Sequence, residues 1–248
     1  MENSKIVPLS KVNHRSLTFA ALDNYFFTAS SNSVPLLSFE VAQASLNFPI
    51  FFPDQHSNSP HALLGLGQKN IFVGEDGSWR VSYIPLVLAN YPFSIIKATF
   101  KQESEADEKR PPEFALAIDE NAPHFKQDGG RPLFGEDGEP TELLKGIRNS
   151  LMSQYTHHQS FSRAFAELSL HDSFSAEPIE VRYGGKLKNV AGLRCVNRKK
   201  VLQLPDSTLG HWVKIGLMEM IYAHWNSFFN LPKLLEDPSC PATKQSPK

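Results

Sequence analysis

Asp119 and Glu120 stand side by side at the end of the apolar run Phe114-Ala115-Leu116-Ala117-Ile118. Adjacent carboxylates can do acid–base chemistry when burial splits their pKa values. Glu136, Asp137, Glu139 and Glu142 extend the acidic zone. A solvated loop flanking a helix explains the same residues without chemistry. His224, in the apolar stretch Tyr222-Ala223-His224-Trp225, is the second candidate. Imidazole can shuttle a proton near neutral pH, but a histidine on an apolar helix is more commonly a satisfied core residue. Asp119, Glu120 and His224 are therefore the residues to watch, with no catalytic role assigned. Trp79, Tyr83, Tyr222 and Trp225 are candidate pocket walls.

Other chemistry is excluded by spacing. The nine histidines include no zinc-type helical pair with a glutamate between them and no HxD signature. His157 and His158 are consecutive and diverge on a helix. The two Gly-Glu-Asp-Gly segments, Gly74–Gly77 and Gly135–Gly138, lack the dozen-residue oxygen ligand spacing of a calcium loop. They read as tight turns. There is no GxSxG elbow, no phosphate-binding loop and no GxGxxG. Cys195 lies in the apolar run Ala191–Val196 with no flanking histidine, and reads as a small buried hydrophobe. Cys240 lies in a polar C-terminal tail. No metal and no cofactor is expected.

Lysine plus arginine number 25 against 26 acidic residues, so the net charge is -1. A near-neutral chain has no long-range pull on polyanions, and the small basic patch Arg194, Arg198, Lys199 and Lys200 lacks a stacking platform in sequence. Nucleic-acid binding is not expected. At 248 residues, 41% apolar and 21% charged, the chain is neither collagen, coiled coil nor wholly disordered. No run approaches the roughly 18 apolar residues of a membrane helix. The N-terminus lacks an apolar signal core. With two cysteines, the expected location is the cytoplasm, the alternative being the cell surface by a non-Sec route.

The elements that must position these residues follow from pattern. Ala62–Leu66 and Asn70–Val73 read as paired strands. Trp79–Tyr91 reads as a helix with Pro85 near its start and Pro92 as its stop. Phe93–Ala98 and Phe114–Ile118 read as strands flanking a charged insertion, Lys101–Pro112. Thr141 caps a helix to about Leu170, with Leu144, Ile147, Leu151, Tyr155, Phe161, Phe165 and Leu168 as its apolar stripe. Glu177–Tyr183 turns at Gly184-Gly185 into extended runs from Leu187 to Leu204. Asp206 or Ser207 opens a helical region to about Phe229, broken near Gly216. Asp54–Pro60 is a loop. The mixed order predicts an α+β fold, with a mixed or mostly antiparallel sheet, packed helices and a single compact domain. The domain is expected over 1–235, with 236–248 a flexible tail. The chain holds 18 Phe and 18 Pro against 14 Gly. Pairs such as Val34-Pro35, Phe48-Pro49, Phe52-Pro53 and Tyr91-Pro92 place an aromatic or branched residue where proline ends an element, as if sealing the core edge.

The same pairs carry a resemblance. Val7-Pro8-Leu9, Asn32–Leu36, Phe48–Phe52, Ala62–Leu66, Asn70–Val73, Trp79 with Tyr83-Ile84-Pro85, Tyr91-Pro92-Phe93, Ile118-Asp119-Glu120, Leu133-Phe134 with Asp137–Thr141, Leu204-Pro205-Asp206 and Ile221–His224 together resemble the SapC family over nearly the whole chain. Lys101–Pro112 is longer than the family's usual connection, and the residues after Leu235 are extra. The resemblance implies a bacterial protein linked to a surface layer or to TonB-dependent outer-membrane uptake. Companions of halogenase-like and cupin-like type are implied with it. It brings no catalytic motif. The expected function is a non-catalytic accessory or binding protein whose partner is a protein: a modifying enzyme, a receptor system or a surface-layer component. The alternative is an enzyme or enzyme subunit acting on a peptide or small molecule.

Overall fold

The stripe that begins at Leu144 builds one helix of 29 residues, Glu142–Leu170. Thr141 caps it as expected, its hydroxyl accepting the Leu144 N–H at 3.5 Å. The computed structural model describes residues 4–53, 59–97 and 114–236, including all side chains there except those of Ser160, Phe161 and Tyr183. The insertion Lys101–Pro112, the loop residues 54–58 with His56, Ala98 at the expected strand end, and the tail from 237 with Cys240 lie outside the described residues. The fold is α+β with small antiparallel sheets. Its residues group into two compact units, 1–23 with 90–156 and 24–89 with 157–248.

In the first unit, Phe114–Asp119 is the middle strand of three, between Ile6–Pro8 and Phe93–Lys97. The last three residues of the middle strand are all buried, and Ile118 joins Phe93, Leu133, Phe134, Leu144 and Leu151 in the core. Ile6–Pro8 is an edge strand, where a proline without an N–H is tolerated. In register, Ile6 faces Asp119 and Val7 faces Ile118.

In the second unit, His61–Leu63 is the middle strand between Ser33–Pro35 and Ile50–Phe51. The hairpin Ile179–Tyr183 and Lys186–Val190 turns at Gly184-Gly185, whose φ values of 57° and 75° suit glycine. Helices run over Asp206–Lys214 and Leu217–Ser227, separated by Gly216 at φ 76°. The core holds Ala164, Phe165 and Leu168 from the long helix with Phe48, Phe52, Trp212, Leu217 and Ile221.

Four expectations are corrected. Trp79–Tyr91 is helical only over Leu86–Ala89, because side chains before Pro85 are held by tertiary bonds. Asn70–Val73 is no strand partner of Ala62–Leu66; a single Ile71 N–H to Leu64 carbonyl bond links them, and Val73 bridges to Trp79. The extended run to Leu204 ends in a short helix, Arg198–Leu202, capped by Asn197. Phe48 and Phe52 lie at the centre of the core with no exposed surface, not at its edge.

The two Gly-Glu-Asp-Gly segments are turns and share one design. Gly74 N–H bonds Ser78 O at 2.8 Å and Gly135 N–H bonds Glu139 O at 2.8 Å. In each, the aspartate accepts the N–H two residues on, at 3.0 Å. The last glycines, Gly77 and Gly138, have φ of 82° and 78°. Their surroundings differ. A Cβ at Gly77 would lie 2.6 Å from the Phe26 ring and 2.9 Å from Asn24 Cβ, whereas at Gly138 the nearest atom is Arg15 Cζ at 3.8 Å. Gly138→Ala should cost only the left-handed backbone penalty, about 1 kcal/mol. Gly77→Ala should cost about 2 kcal/mol, since a packed neighbour must also move. Denaturant unfolding of the two variants measures the gap, and equal losses would contradict it.

Candidate functional site

Asp119 ends the middle strand of the first unit and is 1% exposed. A buried carboxylate must be met by donors, and four reach it. Its Oδ1 accepts the Lys5 N–H at 2.8 Å and the Asn121 N–H at 3.1 Å. Its Oδ2 accepts the Ser4 hydroxyl at 2.7 Å and the Tyr91 hydroxyl at 2.8 Å. Burial alone would raise the carboxyl's pKa, but the Lys5 N–H, the two hydroxyls and the Asn121 N–H outweigh it and hold it below its ordinary value. The Tyr91 hydroxyl is pushed up by burial and by its bond to Asp119. Glu120 points to different partners. Lys5 Nζ lies 2.6 Å away and His14 Nε2 2.9 Å away, and the two hold the carboxyl low, Lys5 first. His14 Nδ1 in turn accepts the Ser10 N–H at 2.9 Å. Asp119 and Glu120 therefore both clasp the N-terminal strand.

The second unit contains an equivalent that sequence reasoning missed. Glu40 is 2% exposed. Its Oε1 accepts the Tyr83 hydroxyl at 2.6 Å and the Leu86 N–H at 2.8 Å, and its Oε2 accepts the Leu37 N–H at 2.7 Å. Burial raises its pKa, opposed by Tyr83, Leu86 and Leu37. Burial and Glu40 also push the Tyr83 hydroxyl up. Trp79, the other expected pocket wall, donates its indole N–H to the Tyr83 carbonyl at 2.8 Å. Trp79 and Tyr83 are thus brought together, and Glu40 fixes the start of Leu86–Ala89. The signal for Glu40 was a lone glutamate in the apolar stretch Phe39-Glu40-Val41. Its distant donors are invisible to local pattern.

His224 is 1% exposed and packs against the rings of Phe52 and Phe228 at 5.3 and 4.9 Å. Its Nε2 accepts the Val196 N–H at 3.0 Å, so the ring is neutral with its proton on Nδ1. No hydrogen bond of normal geometry reaches Nδ1, and the Ile50 backbone opposes burial only weakly. Burial lowers the pKa to about 3. Cys195, beside Val196, is a buried thiol whose Sγ meets the Leu193 carbonyl at 3.6 Å. Burial pushes it up to about 12, which disarms a nucleophile.

Tyr222 and Trp225 are also brought together, edge to face at 5.4 Å. The Trp225 indole donates to the Val196 carbonyl at 2.8 Å, and the Arg198 guanidinium lies 5.2 Å from its ring. Two clefts of the second unit are lined by other residues. One of about 310 Å³ is lined by Lys69, Arg80, Lys233, Glu75 and Glu236 around Ile71 and Val73. Another of about 340 Å³ is lined by Asp172, Phe174, Ser175 and Arg194, whose guanidinium lies 3.6 Å over the Phe174 ring. Among the described residues, no group of three or more His, Cys, Asp or Glu side chains is placed to hold a metal ion. Nor is any helix there long and apolar enough to cross a membrane.

Most of the residues that form these clasps lie within a stretch that matches a known family. A family model described as SapC matches residues 9–234, which is most of the chain. The chain belongs to the SapC family. In SapC terms, Tyr83-Ile84-Pro85, Tyr91-Pro92-Phe93 and Ile118-Asp119-Glu120 all fall within the match, and so do both tyrosine–carboxylate clasps except for Ser4 and Lys5. Comparison with curated proteins and with solved structures gave no match.

Proposed function

We propose that this SapC-family chain is a non-catalytic accessory or binding protein. It acts in the cytoplasm beside a surface-layer or TonB-dependent outer-membrane uptake system, with a protein as its partner. Residues 1–235 act as one SapC domain, followed by a tail. The observation that carries the reading is the saturation of Asp119. A carboxylate offers about four lone-pair sites, and all four accept protein donors, which leaves none for a substrate. Glu120 is tied to Lys5 and His14, and His224 is sealed among aromatic rings. The alternative, an enzyme acting on a peptide or small molecule, draws less support, because Asp119 and His224 accept backbone N–H groups and Glu120 is paired with Lys5 and His14.

Affinity purification of the tagged full chain at native expression level tests the reading. Stoichiometric recovery of a TonB-dependent receptor, a surface-layer component or a halogenase-like or cupin-like enzyme is expected. Recovery of none of them would count against it.

A further inference from the structure

Helix Leu217–Ser227 runs on through a turn at Phe228–Asn230 into Leu231–Leu235. One side of this run is core, with Leu217, Ile221, His224, Leu231 and Leu234 buried. Tyr222, Trp225 and Phe229 follow at steps of three and four, which sets them in one stripe beside that core face. Folding buries aromatic area wherever it can, yet Tyr222 is 48% and Phe229 84% exposed. Trp225 is half-buried and fixed by its indole bond to Val196, so the centre of the stripe is rigid. Arg198 lies against Trp225, and Lys199 follows it; both are exposed. Among the described residues neither makes an ion pair. Lys200, by contrast, is neutralised by Asp172 at 2.8 Å. Glu219, one turn before Tyr222, makes no ion pair with Arg198.

From this juxtaposition we infer that the Tyr222–Trp225–Phe229 stripe, edged by Arg198, docks a short acidic segment of a partner protein carrying an aromatic or aliphatic anchor. The inference rests on the proposed binding role and names the surface that performs it. Tyr, Trp and Arg are the side chains that concentrate binding energy in protein contacts. The unneutralised Arg198 guanidinium selects a carboxylate by charge complementarity, and on its indole face it is already preorganised. A chain of net charge -1 is poorly suited to a polyphosphate backbone.

The test uses the full-length protein and a fluorescently labelled short peptide rich in Glu with two Phe, followed by anisotropy. Binding should weaken with added salt. Phe229→Ser and Arg198→Glu should each weaken it by about tenfold or more. Both positions are exposed, so melting temperatures should hold. Val12→Ser, at an exposed position of the other unit, should leave binding unchanged. Binding that ignores both stripe variants would overturn the inference. So would absence of binding, equal binding of a lysine-rich peptide or of a single-stranded oligonucleotide, or self-association abolished by Phe229→Ser. If affinity purification recovers a partner that both variants retain, the inference fails while the proposed function stands. If wild-type protein recovers none but binds the peptide as described, the reverse holds.

Discussion

Replacing Asp119 with alanine should remove about 4 kcal/mol from the stability of the first unit, in the range for stripping one partner from a buried charged cluster. The change leaves the Lys5 and Asn121 N–H groups and the Ser4 and Tyr91 hydroxyls without their shared acceptor. Asp119→Asn should cost about half as much. Its carbonyl can still accept the two backbone N–H groups, and the two hydroxyls can rotate to accept from the new amide. Tyr91→Phe should cost about 1 kcal/mol, one hydrogen bond. The damage should start at the edge strand Ile6–Pro8, which is pinned by Ser4 and Lys5. Hydrogen exchange of the Val7 and Leu9 amides, which face the middle strand, should accelerate in Asp119→Ala before the rest of the sheet opens. Unchanged protection at these amides would show that the clasp does not hold the strand.

Acid should destabilise the second unit through its buried histidines, an effect that Glu40, its pKa raised by burial, opposes. His224 is neutral in the fold and its pKa is lowered to about 3, against about 6.5 in an unfolded chain. Between these values the unfolded state binds the extra proton, so stability rises with pH and is lost as pH falls from about 6.5 toward 3. One such group gives a slope of up to about 1.4 kcal/mol per pH unit. His61 and His158, also lowered by burial, add to the slope in the same direction. Tryptophan fluorescence isolates this unit, because Trp79, Trp212 and Trp225 all belong to it. Denaturant unfolding read this way should show a clear loss of stability between pH 6.5 and pH 4.5. In His224→Gln, whose amide can still accept the Val196 N–H but takes no proton, the slope should flatten by about one proton. An unchanged slope would place the titrating group elsewhere. In the first unit, His124 is lowered by burial to about 4 and should produce a similar loss, visible in probes of that unit.

These two predictions depend on side chains that the sequence presented very differently. Asp119 stood out because it ends an apolar run, and His224 because it interrupts one. Both positions were legible, and so was the alternative that they serve the fold. What was not legible was how many donors each attracts. Ser4 and Tyr91 reach Asp119 from 115 and 28 residues away, and Val196 reaches His224 from 28 residues away. Glu40 left only a lone acidic residue in an apolar stretch, since its donors Tyr83 and Leu86 are 43 and 46 residues distant.

By itself the sequence determined the elements whose order comes from neighbouring residues: the helix Glu142–Leu170 from its apolar stripe and Thr141 cap, the Gly184-Gly185 hairpin, the two Gly-Glu-Asp-Gly turns and the helix break at Gly216. It also carried the SapC match over residues 9–234. Tertiary structure alone decided that Glu40 ties down the Tyr83 hydroxyl and the Leu86 N–H, so that within Trp79–Tyr91 only Leu86–Ala89 coils into a helix. It also decided that Phe48 and Phe52 form the core's centre, and that Tyr222 and Phe229 stay in solvent. The reason is the range of the forces. Steric preference and hydrophobic periodicity act over one or two turns and are written in adjacent residues. The demand that a buried carboxylate or imidazole find donors is set by burial, which exists only after distant segments have met.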